Sequence, residues 1–88
     1  MSYQIVITKS ALKELTKMPT SVYKNMDKRI SGLAFNPFPD GYTKLKGSEN
    51  SYRIRVGAYR IIYNLYHDEL VIKIIKVGHR SDVYKYGR

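Results

Sequence analysis

The sequence predicts an α+β fold in which an N-terminal strand and a helical hairpin precede a three-stranded antiparallel meander and a short C-terminal segment. Two stretches before residue 35 repeat apolar residues at helical spacing. Three runs after residue 51 are rich in β-branched and aromatic residues, and a glycine-containing turn separates the first two. Because the chain has 88 residues, we expect one domain, residues 1–88.

The first half opens with YQIVIT, residues 3–8, whose β-branched residues predict a strand. Thr8 or Ser10 can cap the helix that follows. Pro19 separates two helices, whose apolar positions are Ala11, Leu12, Leu15 and Met18 and then Val22, Met26, Ile30 and Leu33. The stretch FNPFPDGY, residues 35–42, contains two prolines and a glycine and therefore predicts a loop.

The second half reads as three successive strands, YRIRV at 52–56, YRIIYNLY at 59–66 and LVIKIIKV at 70–77. Gly57 and Ala58 form a two-residue hairpin loop with glycine where a type II′ turn needs positive φ. This turn predicts a register in which Arg55 lies opposite Arg60, and Arg53 lies opposite Ile62. The three arginines then share one sheet face, and the other face carries the core positions Tyr52, Ile54, Val56, Tyr59, Ile61 and Tyr63. A short loop around Asp68 predicts Lys73 and Lys76 on opposite faces.

Charge is the strongest compositional signal, because 16 Lys and Arg against 7 Asp and Glu leave a formal charge of +9. Such an excess favours a polyanionic partner such as RNA or DNA, and it leaves an acidic protein partner open. No long basic amphipathic helix or apolar run points to a membrane. The N-terminal stretch does not resemble a signal peptide, so we expect a soluble, cytoplasmic protein. The arginine face is either a solvated surface or a site for phosphates, and its geometry favours phosphates.

The stretch GHRSDVY, residues 78–84, follows the last predicted strand. We expect it to fold over the rim of the sheet and to bring His79, Arg80 and Tyr84 beside the arginines. Phosphate-binding arginines bordered by groups that can move protons are what RNA cleavage by internal attack requires. The chain has no cysteine and no carboxylate cluster, so the sequence predicts neither a metal site nor a cofactor.

The stretches LKGSENSYRIRVGAYRIIYNL, residues 45–65, and VGHRSDVY, residues 77–84, resemble the RelE/ParE superfamily of toxins from toxin–antitoxin pairs. This resemblance implies a RelE-like microbial RNase fold. For the RelE branch it implies ribosome-dependent, metal-independent cleavage of messenger RNA through the 2′-hydroxyl, and neutralisation by an acidic antitoxin. The expected partners are therefore the antitoxin, the ribosome with its RNA, and messenger RNA.

The resemblance also assigns residues, because Arg53 and Arg55 match two basic positions before the turn and Arg60 matches an arginine after it. Arg80 matches an arginine after the last strand and would stabilise the phosphorane. Tyr84 matches the tyrosine of the C-terminal segment, and either it or His79, which stands where lysine is common, would be the general base. Two further candidates for binding RNA phosphates are Lys44 and Lys46.

Two other functions remain open from the sequence. A ParE-like toxin would inhibit DNA gyrase without cleaving RNA, and the superfamily motif alone does not separate the two branches. A non-toxic basic RNA-binding domain would have the same charge. Dependence on Arg80 and Tyr84 would favour the messenger-RNA interferase.

Overall fold

The computed structural model describes residues 2–79 and confirms the α+β fold. The elements are β1 (Gln4–Ile7), α1 (Lys9–Thr16), α2 (Thr20–Leu33), β2 (Thr43–Lys44), β3 (Ser51–Val56), β4 (Tyr59–Tyr66) and β5 (Val71–His79). The predicted order of strand, helical hairpin and three strands is thus present, and the two-residue strand β2 is an addition. The predicted C-terminal segment lies outside the described residues. Neither helix within 2–79 has the length and apolar character needed to cross a membrane.

The strands form one sheet in the order β1-β5-β4-β3-β2. β1 pairs in parallel with β5, whereas the other neighbouring strands are antiparallel. A parallel pair requires a long crossover connection, and here the connection contains both helices and the meander. The parallel pairing places the end of β1, and therefore the start of α1, next to the middle of β5.

Both helices begin where the sequence predicts. Thr8 is the N-cap of α1, and its hydroxyl oxygen accepts a hydrogen bond from the Ala11 backbone N–H at 3.3 Å. Pro19 is the N-cap residue of α2, with φ of −56° and ψ of 151°, so it lies between the two helices as predicted. The residues that the helices bury are Ala11 and Leu15 on α1 and Met26, Ile30 and Leu33 on α2.

The core lies between the helices and one face of the sheet, which we call the inner face. Ile54, Val56, Ile61 and Tyr63 are buried there, as predicted, and Tyr52 and Tyr59 pack against them half-buried. The Tyr63 hydroxyl donates a hydrogen bond to the Pro37 carbonyl at 2.6 Å, which ties the 34–42 loop to the sheet. Burial raises the pKa of Tyr63, and Tyr52 and Tyr42 raise it further, so this phenol stays protonated.

The β3–β4 hairpin has the predicted register. Arg55 lies opposite Arg60, Arg53 lies opposite Ile62, and Gly57 has a φ of 62° in the turn. The arrangement of β5 differs from the prediction, because the register against β4 shifts between Ile62 and Tyr63.

The register shift is a β-bulge at Ile75. Tyr63 pairs with Ile74 and Ile62 pairs with Lys76, so Ile75 is the extra residue. Lys73 lies opposite Asn64, two residues along β4 from Ile62, and therefore shares a sheet face with Lys76. The prediction that the two lysines lie on opposite faces is wrong. The extra residue Ile75 shifts the alternation of the residues after it by one position, so Lys76 faces the same side as Lys73.

Candidate nucleic-acid interface

The sheet face away from the helices collects positive charge from three adjacent strands. We call this surface the basic face and define it by Arg53, Arg55, Arg60, Lys73 and Lys76, which the register places on one side of β3, β4 and β5. No acidic residue occurs in these three strands. The three strands thus contribute positive charge and no carboxylate to this face, and such a surface suits a polyanion.

The residues of the basic face form rows across the strands. Arg55, Arg60 and Gly78 occupy the row nearest the β3–β4 turn, and the next row contains Arg53, Ile62 and Lys76. Neighbouring strands are about 4.8 Å apart, so Arg53 and Lys76 flank Ile62 with backbones about 10 Å apart. Arginine and lysine therefore approach the same outer surface from both sides of β4.

The three arginines differ in exposure. Arg55 is exposed and Arg53 is half-buried, whereas Arg60 is only 8% exposed. The Arg60 Nη1 atom donates a hydrogen bond to the Tyr59 carbonyl at 3.4 Å. Arg60 lies opposite Gly78, which has no side chain to compete for the same space. Arg53 and Arg55 are consequently the accessible pair, and Arg60 is a more fixed charge beside them.

The opposed pair of Arg55 and Arg60 gives a prediction about stability. Like charges directly opposite each other in a sheet are unfavourable, by up to about 1 kcal/mol. We therefore expect Arg55→Gln to increase the free energy of unfolding by roughly 0.3–1 kcal/mol while weakening binding to RNA. Urea unfolding followed by circular dichroism measures the change. The control is Lys24→Gln on the exposed side of α2, and an equal gain there would contradict the role of the cross-strand pair.

A hydrogen-bonded polar row borders the basic face towards the β4–β5 turn. The Ser51 hydroxyl donates to the Asn64 Oδ1 atom at 2.5 Å, and Asn64 Nδ2 donates to the Tyr66 hydroxyl at 3.2 Å. Asn64 lies directly opposite Lys73. This row was not predicted from sequence, although SYRIRV and YRIIYNLY place Ser51 and Asn64 on the arginine side of the predicted hairpin.

His79, the first of the three candidates from the C-terminal segment, has its ring on the inner-face side of the sheet. It is the last residue of β5 and pairs with Tyr59, whose side chain belongs to the inner face. The two rings meet edge to face with centroids 5.8 Å apart. The bulge sets this orientation, because Lys76 faces outward and the alternation then places Gly78 outward and His79 inward. Arg80 and Tyr84, the other two candidates from this segment, lie outside the described residues.

The two lysine candidates lie on β2 and in the loop after it, outside the three strands that form the basic face. Lys44 pairs with Tyr52, an inner-face residue, and is exposed on the edge strand β2. Lys46 is exposed in the loop between β2 and β3. If these lysines bind RNA, the chain of the RNA must pass around the β2 edge of the sheet.

Three acidic residues lie together at the end of the sheet that carries the β4–β5 turn. A groove beside the β4–β5 turn is lined by Glu49, Asp68 and Glu69 together with His67. The Tyr3 hydroxyl and His67 Nδ1 are 3.0 Å apart, so His67 links the start of the chain to this turn. Within residues 2–79, no group of three or more His, Asp and Glu side chains is arranged to hold a metal ion.

Comparison with known proteins identifies the family. A family model described as the ParE toxin of type II toxin-antitoxin system, parDE, matches residues 5–84. The toxin RelE1 of Methanocaldococcus jannaschii is 35% identical over 88 residues, which cover 97% of this chain and 98% of the relative. The mRNA interferase toxin RelE of Escherichia coli K12 is 30% identical, with 96% and 92% of the two chains covered.

Solved structures of RelE proteins have the same fold. RelE in the archaeal RelE–RelB complex from Pyrococcus horikoshii superposes with a TM-score of 0.81 at 33% identity, covering 91% of this chain and 97% of that one. The isolated Escherichia coli RelE toxin gives a TM-score of 0.79 at 28% identity, covering 97% and 94%. The fold is thus that of a small toxin from a toxin–antitoxin pair. The chain belongs to the RelE/ParE superfamily of type II toxins.

Proposed function

We propose that this toxin is a ribosome-dependent endoribonuclease that cleaves messenger RNA in the decoding site and so inhibits translation. The observation that carries the proposal is the basic face, where five cationic residues share one sheet surface whose strands contain no carboxylate. The relatives add support, because proteins named mRNA interferase align with nearly the whole chain at 30% identity. Family membership also argues against a non-toxic RNA-binding domain.

The roles that we propose for the three arginines follow from how far each side chain is exposed to solvent. Arg53 and Arg55 are two residues apart on β3, with Cα atoms about 7 Å apart along the strand, and would bind the phosphates that flank the cut. Arg60 is more buried and hydrogen-bonded to the backbone, so it would supply a fixed positive charge towards the phosphorane. Preorganised charge of this kind stabilises a transition state without reorganisation during the reaction.

The remaining roles rest on the family resemblance. Arg80 would stabilise the phosphorane together with Arg60, and Tyr84 or His79 would accept the proton of the 2′-hydroxyl. The inner-face position of His79 favours Tyr84, because the His79 ring packs against Tyr59 on the side of the sheet opposite Arg60. The reaction that we propose needs no metal ion and no small-molecule cofactor.

We also propose that an acidic antitoxin neutralises the toxin in the cytoplasm. RelE proteins that superpose on this chain occur in complexes with RelB in Pyrococcus horikoshii and Methanococcus jannaschii. An acidic segment would be attracted to the basic face, and association would be faster at low salt.

A gyrase-directed activity is the second candidate, because the matching family model takes its description from a ParE toxin. The two functions predict different outcomes in purified systems. We expect the toxin to cut messenger RNA on translating ribosomes, as read by primer extension, and to leave DNA supercoiling by gyrase unchanged at the same concentration. Inhibited supercoiling with intact messenger RNA would contradict the proposed function and establish the second candidate.

A further inference from the structure

The β-bulge in β5 determines how far the basic face extends. Lys73 and Lys76 are three residues apart, and a regular strand would place them on opposite faces. The extra residue Ile75 places both lysines outward and leaves Ile74 and Val77, also three residues apart, fully buried in the core. The pattern IKIIKV therefore satisfies the core and the basic face only if the bulge is maintained.

Thr8 contacts the bulge directly. Its backbone N–H donates to the Ile74 carbonyl at 3.1 Å, and its hydroxyl donates to the Ile75 carbonyl at 3.2 Å. The same hydroxyl oxygen accepts the Ala11 N–H as the cap of α1. One side chain thus joins the end of β1, the start of α1 and the extra residue of β5, which is 67 positions away in sequence.

We propose that Thr8 is a positioning residue for RNA binding, because its hydroxyl holds the Ile75 bulge that keeps Lys76 on the basic face. The proposal rests on the proposed function, in which the basic face binds RNA phosphates. Ile75 has no partner residue on β4, and its carbonyl accepts the hydrogen bond from the Thr8 hydroxyl at 3.2 Å. Loss of a partner for a half-buried carbonyl is unfavourable, and the strand can then relax towards a register without the bulge.

The alternative role of Thr8 is helix capping alone. A cap typically contributes about 1 kcal/mol to stability. Its loss would lower the fraction of folded protein but would leave unchanged the dependence of RNA binding on salt concentration. Displacement of Lys76 from the basic face would instead change the dependence of RNA binding on salt concentration. Each phosphate contact to a single strand contributes about 0.7 to the slope of log binding constant against log salt concentration, so a lost contact makes that slope shallower.

The test measures the binding of a 2′-O-methyl RNA oligonucleotide, which cannot be cleaved through its 2′-oxygen, over a range of salt concentrations. We expect Lys76→Ala to weaken binding roughly 3- to 10-fold at low salt and to reduce the slope by about 0.7. Thr8→Val should reproduce most of that reduction, and Thr8→Ser, which keeps the hydroxyl, should not. Adding Thr8→Val to Lys76→Ala should change the slope no further. Thr8→Ala replaces Thr8→Val if the valine variant does not fold.

The outcomes separate the two proposals. If Lys76→Ala reduces the slope and Thr8→Val does not, Thr8 has no positioning role, while RNA binding by the basic face stands. An additive reduction in the double variant would equally overturn the role of Thr8. If neither Lys76→Ala nor Arg53→Ala changes the slope, the basic face does not bind RNA, and both proposals fail.

Discussion

Replacing Arg53 and Arg55 together with alanine is expected to reduce cleavage of ribosome-bound messenger RNA by about 10²- to 10⁴-fold. Both side chains lie on the basic face, one exposed and one half-buried. A charge-assisted hydrogen bond contributes about 1.5–3 kcal/mol, and each 1.36 kcal/mol corresponds to a tenfold change in rate. Single-turnover cleavage on purified ribosomes carrying a defined messenger RNA measures the loss.

A charge-matched variant distinguishes the basic face from overall charge. Lys13→Ala/Lys24→Ala also removes two positive charges, but from exposed positions on α1 and α2. We expect this variant to cleave within about threefold of the parent, because exposed charges more than about 10 Å from a phosphate are largely screened at physiological salt. Equal losses in both double variants would show that net charge controls activity and would contradict the assignment to the basic face.

The β3–β4 hairpin was predictable from sequence because its determinants are local. Gly57 tolerates the positive φ of the turn, and the two-residue loop then fixes which residues face each other. Alternation assigns Arg53 and Arg55 to one face and Ile54 to the other. The stretch YRIRVGAYR thus predicts three of the five residues of the basic face, Arg53, Arg55 and Arg60.

The arrangement of β5 was not predictable in the same way, because contacts distant in sequence determine it. The bulge depends on the parallel pairing of β1 with β5 and on the contact between Thr8 and Ile75. Periodicity within LVIKIIKV is compatible with a regular strand as well as a bulged one. The error at Lys76 has this cause, and so does the inner-face orientation of His79, since one extra residue shifts the alternation of all residues after it.

The short strand β2 was missed for a different reason. Two residues carry no periodic signal, and Thr43 and Lys44 have no apolar side chain to mark a buried face. Pairing of this strand with β3 puts Lys44 opposite Tyr52 on the inner face. The sequence alone did not indicate which face Lys44 occupies. The candidate phosphate-binding residues therefore divide between a contiguous basic face and isolated lysines near the β2 edge.

The charge of the basic face suits the reaction that we propose. A dense patch of arginine and lysine raises the local concentration of RNA and stabilises negative charge that develops on a phosphate. In the reaction that we propose, the 2′-oxygen attacks the phosphate, and the phosphorane carries additional negative charge on its oxygens before the 5′-oxygen leaves. The protein then needs one group to accept the 2′-proton and one to protonate the leaving oxygen.

Replacing the ribose at the cut site with 2′-deoxyribose is therefore expected to abolish cleavage, with a rate reduction of at least about 10⁴-fold, because the substitution removes the nucleophile itself. The O2′–P bond forms as the P–O5′ bond breaks, so the products carry a 2′,3′-cyclic phosphate and a free 5′-hydroxyl. Mass spectrometry of the fragments identifies both ends. The control substrate carries 2′-deoxyribose one nucleotide downstream and should be cut at the parent rate, which shows that the modified RNA still enters the decoding site. A 5′-phosphate on the downstream fragment, or cleavage of the substrate modified at the cut site, would mean that water attacks the phosphate instead, and the arginines would then serve in binding alone.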